Sequence, residues 1–196
     1  GHRYELRVAY TLANKNLPKY KKDKDVTTVL GVDLGINTNA VCSVVQKDGT
    51  VTGQRFIDSP VEKDRMDGLL NAVKKAQQQG NRKNPRLWRL INHYNEAIAV
   101  KTAAAIVSYA KEAGVDVIVF EHLKMQGKKR GPKKQRLSLW RKRDIQRRVK
   151  EMAARAGIRV SYICAVNTSR LAYDGSGKVA RGKDAGFSSA SLCRFS

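Results

Sequence analysis

The sequence predicts an α/β domain built on a mixed sheet flanked by helices. Three observations carry that expectation. Short apolar, β-branched runs are interspersed with longer segments of helical period. The first three such runs follow one another closely, two of them joined by turn chemistry, whereas the later ones come only after helical segments. Strands joined by hairpins pair antiparallel, and strands reached through helical crossovers pair parallel, so both kinds of ladder belong in one sheet.

Taken in order, "RYELRVAYTL" (3 to 12) alternates weakly and reads as a strand, and a charged, Pro-containing linker runs on to residue 25. Strands follow at 29–33, 40–45 and 51–57, the last two separated by "KDGT", whose Asp-Gly is a hairpin signal. Helical patterns cover 60–78 and 85–113; Pro85 suits a first turn and Gly114 a stop. "VDVIVFEHL" (115 to 123) is a continuous apolar run of the kind found at a sheet centre. A basic loop, "KMQGKKRGPKKQR", leads to a helix over 137–156, stopped by Gly157, and "IRVSYICAV" is the last strand. From Asn167 onward the chain is small, polar and glycine-rich. The order β-β-β, helices, β, helix, β is that of ribonuclease-H-like domains.

Composition bounds the partners. The chain has 196 residues with 39 Lys+Arg against 17 Asp+Glu, a formal net charge of +22. Such a field attracts polyanions and makes association with nucleic acid steeply salt-dependent. No apolar run approaches a membrane span and no signal peptide is read at the start, so the expectation is an intracellular protein with no membrane partner. Cys42, Cys164 and Cys193 are widely spaced, and the first two fall in strands as reduced, buried thiols. The opening Gly-His, with no initiator Met, reads as a tag remnant on a piece of a longer protein.

Two predicted strands end in acids. "VTTVLGVDLGIN" reads as a buried strand ending in Asp33 between Gly31 and Gly35, and "VIVFE" delivers Glu121. A lone buried carboxylate costs several kcal/mol or more unless it is paired or holds a metal. If these strands are parallel neighbours, both acids emerge together at the carboxyl edge, where open α/β sheets place ligand sites. Oxygen ligands without His or Cys favour Mg²⁺ or Mn²⁺, and two such ions can activate a water for phosphodiester cleavage. An acid merely solvated at a strand end is the plainer alternative for either residue taken alone. His122 follows Glu121 on the opposite face and is not expected to share the metal.

At these residues the chain resembles the RuvC-like nuclease domain of transposon-encoded TnpB proteins and the related type V CRISPR effectors, which are RNA-guided endonucleases. "GVDLGINTNAVCSVV" looks like their first motif and "VIVFEHLKM" like their second, with Asp33 and Glu121 as the metal-binding, catalytic acids. "RYELRVAYTL" looks like the strand joining their wedge domain to the nuclease, and "SLWRKRDIQRRVKEMAARAGIRVSYICAVNTSRLAYDGSG" resembles the segment leading into a zinc ribbon. The resemblance implies three parts: a wedge-like strand and linker (1–25), a RuvC-like core with a helical insertion (26–166) and a degenerate or truncated ribbon-like segment (167–196). It also implies a guide RNA and a DNA target as partners, and a cytoplasmic, nucleoid-associated place in a prokaryotic cell. The sequence departs from the pattern after Thr168-Ser169, where no Cys-x-x-Cys follows, so no zinc is expected. The family's third acid has no clear match, since Asp174 and Asp184 lie among glycines; it is expected beyond residue 196. Without it this chain is expected to cut poorly or not at all.

From Lys124 to Lys150 basic residues dominate and Asp144 is the one acid. Lys128, Lys129, Arg130, Lys133, Lys134 and Arg136 in the loop, and Arg141, Arg143, Arg147 and Arg148 on the helix, are the candidate phosphate contacts. Trp88 and Trp140 read as helix anchors rather than base-stacking platforms, and His93 as a polar helix residue. Two other functions stay open: a nuclease-inactive, guide-dependent DNA binder, and an actin- or sugar-kinase-like ATPase, whose first phosphate loop "GVDLGINTNAV" also resembles. Oligomeric state is not legible.

Overall fold

The computed structural model of the protein describes residues 19–122 and 139–164. The strand expected over 3–12, the loop basic residues from Lys128 to Arg136, and the ribbon-like segment with its zinc question lie outside the described residues. Within them, a single 3₁₀ turn at Asp23–Asp25 precedes β1 (Thr28–Leu34), β2 (Ala40–Gln46) and β3 (Val51–Ile57). Two helices follow, α1 (Pro60–Gln78) and α2 (Pro85–Glu112), then β4 (Val117–His122), α3 (Lys142–Arg155) and β5 (Arg159–Cys164).

The strands form one five-stranded sheet in the order β3-β2-β1-β4-β5. The β1–β2 and β2–β3 ladders are antiparallel, and β1–β4 and β4–β5 are parallel. This is the ribonuclease-H-like arrangement that the element order predicts. Local chemistry sets the boundaries. Pro60 and Pro85 occupy first helical turns, where a missing N–H costs nothing. Gly114 and Gly157 terminate α2 and α3 at φ +62° and +72°, a conformation that a side chain disfavours. Beyond them the N–H groups of Val115 and Ile158 turn back to Ala110 O and Ala153 O at 2.9 and 3.0 Å, satisfying carbonyls the helix leaves open.

The core lies on one face of the sheet. Leu30, Val32 and Leu34 of β1 meet Cys42 and Val44 of β2, Ile118 and Phe120 of β4, Ala103 and Ile106 of α2, and Ile145 and Val149 of α3. The expectation that β1 is buried on both sides is corrected here. Its burial alternates: Leu30, Val32 and Leu34 are buried, whereas Gly31 is half-buried and Asp33 exposed. The helices described here pack on the other side, leaving Phe56 (69% exposed) and Ile163 (48%) on Asp33's face. Asp33 is therefore not a charge sunk in apolar core. Cys42 is buried and free, and burial pushes its thiol up to about 12, with Arg55 opposing, so it is inert at neutral pH.

Asp116 fastens the entry edge of three strands. Its carboxylate accepts hydrogen bonds from the Thr27 and Thr28 N–H groups at 2.9 and 3.3 Å and from the Thr27 hydroxyl at 3.1 Å. It also pairs with Lys21 at 2.7 Å, while its backbone bridges Thr28 and Arg159. Burial raises its pKa, but Lys21 and the Thr27 and Thr28 donors outweigh that, leaving it below the usual carboxylate range. A carboxyl depressed in the folded state adds stability above its unfolded pKa, and that stability is lost as pH falls through the folded value. Asp116→Asn is therefore expected to cost about 1–3 kcal/mol at pH 7. The cost should shrink as the pH falls below the unfolded value of about 4 and on through the depressed folded one, where the wild-type carboxyl protonates as well. Denaturant melts at pH 7 and pH 3 check both statements; an equal loss at the two pH values would contradict the assignment.

Candidate active site at the carboxyl edge of the sheet

The two acids singled out in the sequence come together. In the parallel β1–β4 ladder Gly31 pairs with Val119 and Val32 with Phe120, so the next residues, Asp33 and Glu121, leave the strands side by side. Each lies two positions beyond the Gly31–Val119 pair, so both occupy the same, open face. Their outer neighbours in the row are Val41 on β2 and Ile163 on β5. His122 pairs with Cys164, one register step on, and faces away from Glu121.

Electrostatics mark the pair. Although Asp33 is itself exposed, burial of its surroundings and then the Glu121 carboxylate raise its pKa, and Lys142 partly offsets them. A neighbouring like charge disfavours the ionised form of a carboxyl. The donor set, two carboxylate groups without nitrogen or sulfur, fits a hard divalent cation in part. Among the described residues no third His, Cys, Asp or Glu joins them to complete a cluster.

The loop after Asp33 is tightly built. The Gly35 N–H donates to Asn39 O at 3.3 Å, and the buried Asn39 side chain donates to Ser59 Oγ at 3.1 Å. A Cβ on Gly35 would sit 2.7 Å from the Thr38 carbonyl oxygen, which as backbone cannot simply swing away. Gly35→Ala is thus expected to lower stability by about 1–3 kcal/mol through overpacking. A thermal melt superimposable on wild type would show that the loop yields freely. Beside this loop a cleft of about 320 Å³ opens between α1, α2 and the start of α3, with Asn39, Asp58, Trp140 and Arg141 in its walls. The two acids do not line it; Gly35 connects it to them.

The basic helix is partly neutralised within the fold. Arg147 binds Asp144 at 2.6 Å and Glu151 at 2.8 Å, and Arg148 binds Asp144 at 3.1 Å and Glu96 at 3.0 Å. Arg141 lies 3.8 Å from Asp144. Of the four helix arginines proposed to meet phosphate, Arg143 alone is exposed without an acidic partner among the described residues. The lone acid of the basic stretch organises three of its arginines, a clustering that linear charge counting does not reveal. Trp140 packs against the core, as a helix anchor should, and Trp88 is half-buried. His93 is exposed and meets the Tyr94 ring edge-on.

Sequence reading missed Lys142. It sits at the first position of α3, is 7% exposed, and its Nζ donates to Glu121 O at 3.3 Å. The signal was available: Lys142, Ile145, Val149 and Ala153 recur at helical spacing and are the buried face of α3. A lysine on the apolar stripe differs from its neighbours on the polar one.

No family model matches the chain. A TnpB-like protein of Aquifex aeolicus (strain VF5) is 30% identical over 171 residues, which cover 78% of this chain and 56% of that protein. The chain is thus similar in sequence to a TnpB-like protein, and it has a RuvC-like fold shared with type V effectors. This RuvC-like domain spans little more than half the length of the curated relative it matches. Its fold matches a CRISPR-Cas12f ternary complex with a TM-score of 0.61 at 14% identity, over 80% of this chain and 32% of that one. A Cas12f1–sgRNA–target DNA complex matches with a TM-score of 0.57 at 14% identity, over 77% and 39%. Among the described residues of the RuvC-like domain, no helix is long and apolar enough to cross a membrane.

Proposed function

We propose that this RuvC-like domain is the nuclease core of an RNA-guided DNA endonuclease, hydrolysing phosphodiesters at Asp33 and Glu121. The observation that carries the reading is the convergence of these two acids, from sequence-distant strands, on one open edge of the sheet, where burial and then the Glu121 carboxylate raise the pKa of Asp33. Asp33 and Glu121 would hold Mg²⁺ or Mn²⁺. The bound metal supplies activation of the attacking water and neutralisation of the leaving oxygen. The protein's own part is to keep two carboxylates on a rigid sheet edge beside solvent, so that a phosphate can reach them without unfolding anything. Arg143 and Lys150, both exposed on α3, and the basic residues from Lys128 to Arg136 would guide the strand, while the paired Arg147 and Arg148 can exchange their weak surface ion pairs for phosphate. Guide RNA and target DNA are the proposed partners, supported by the likeness to the Cas12f1–sgRNA–target DNA complex.

The test is cleavage of labelled single-stranded DNA with Mg²⁺, Mn²⁺ or EDTA, by this chain and by the Asp33→Ala/Glu121→Ala double variant. Cleavage that needs the ion and vanishes in the variant, with DNA binding retained, supports the reading. Equal cleavage by both proteins would refute the assignment of the site. Salt-sensitive binding without cleavage by either would mean an incomplete or inactive nuclease core.

A further inference from the structure

Lys142 occupies a position that local rules disfavour twice. It is a buried cation, and it stands at the amino end of α3, where the helix dipole already presents positive charge. A lysine at this end of an exposed helix would extend into water. Here the chain instead folds it inward on the same stripe as Ile145 and Val149, with Trp140 alongside at 5.8 Å from the ammonium to the ring centroid. One hydrogen bond, to Glu121 O, is its only one among the described residues. A single neutral carbonyl does not compensate a desolvated ammonium. That hydrogen bond sets the ammonium at the end of β4, where Glu121 and Asp33 leave their strands; burial pushes the Lys142 pKa down overall, and the charges of Glu121 and then Asp33 oppose that without overcoming it. Reciprocally, Lys142 opposes the repulsion that Asp33 feels from Glu121.

We propose that the Lys142 ammonium is the built-in counter-ion of the Asp33–Glu121 pair, a positioning residue that balances the two carboxylates until a divalent cation takes over that task. The exchange with metal rests on the proposed nuclease function; the counter-ion role does not. In the metal-free protein Lys142 lets two like charges share one sheet edge, which accounts for a buried lysine at a helix start. With metal bound, the ammonium and the ion repel each other, so Lys142 weakens metal binding and keeps it reversible. Its long, flexible stem allows the head to move from the pair toward an incoming phosphate without moving α3.

Two measurements on this chain decide the matter. The first is a double-mutant cycle in EDTA, combining Lys142→Met with Asp33→Asn and reading denaturant midpoints. The methionine keeps the volume and the helix, so folding is retained whichever way the single variant shifts. A double variant whose midpoint departs from the sum of the singles supports the counter-ion; strict additivity overturns it. The second is Mn²⁺ titration of wild type and Lys142→Met, followed by electron paramagnetic resonance of the free ion. Binding several-fold tighter in Lys142→Met supports the exchange, whereas unchanged or weaker binding overturns it. Coupling in EDTA with no Mn²⁺ binding by either protein leaves the counter-ion standing and refutes the metal site and the exchange together. The two failures are therefore distinguishable.

Discussion

In a protein that also supplies the third acid, Asp33→Asn and Glu121→Gln are each expected to reduce ion-dependent DNA cleavage about 100-fold or more while leaving DNA affinity within about two-fold, because a carboxylate that holds the metal contributes several kcal/mol to the transition state and little to backbone binding. Each substitution keeps the shape of the side chain and removes its charge, so a loss cannot be assigned to a hole in the structure. The stability readout should move the other way for Asp33. Its pKa is raised in the folded protein, first by burial and then by Glu121, so the folded state holds that proton more tightly than the unfolded chain does. The associated stability is present below the unfolded pKa and is lost as pH rises through the folded one, which means that ionised Asp33 costs the fold at neutral pH. Asp33→Asn should therefore melt at or above the wild-type temperature in EDTA while being inactive with Mn²⁺. That opposition is the signature of a residue retained for chemistry. A variant that both melts lower and loses activity in proportion would instead mark Asp33 as structural.

Phe120→Ala is expected to cost about 3–5 kcal/mol, the usual consequence of emptying a fully enclosed aromatic site. Phe120 is 0% exposed and is the largest of the fully buried side chains. It stands on the interior strand β4, paired with Val32 across the parallel ladder and with Tyr162 of β5, whose ring centroid lies 6.1 Å away. Its neighbours belong to a sheet and two helices that cannot collapse independently into the void. For a domain of this size each kcal/mol shifts the melting temperature by about 2–4 °C, so the variant should unfold about 10 °C lower or more. Because Glu121 is the next residue on the strand, activity at low temperature separates the effects. A variant that cuts normally when cold but melts early is a core lesion; one inactive even when fully folded would show that the ring also holds the carboxyl edge in register.

Much of the architecture is written in local pattern. The strand and helix order, the starts at Pro60 and Pro85, and the stops before Gly114 and Gly157 follow from period, ring constraint and backbone freedom, which act within a few residues. The placing of Asp33 beside Glu121 was legible too, because it needs only that the strands ending in those acids be parallel neighbours, as the crossover order implies. Tertiary structure decided what those elements meet. It made β1 one-sided, setting Gly31 and Asp33 on an open face, because whether a helix covers a strand depends on packing and not on the strand's own residues. It gathered Arg141, Arg147 and Arg148 around Asp144 and drew in Glu96 from α2, so the basic stretch is less free than its composition suggests. It also turned Lys142 away from its basic neighbours and toward the two carboxylates. The physical reason is range. Propensity and period are properties of short windows, whereas the charge a side chain faces is set by elements that only the fold brings within a few ångströms.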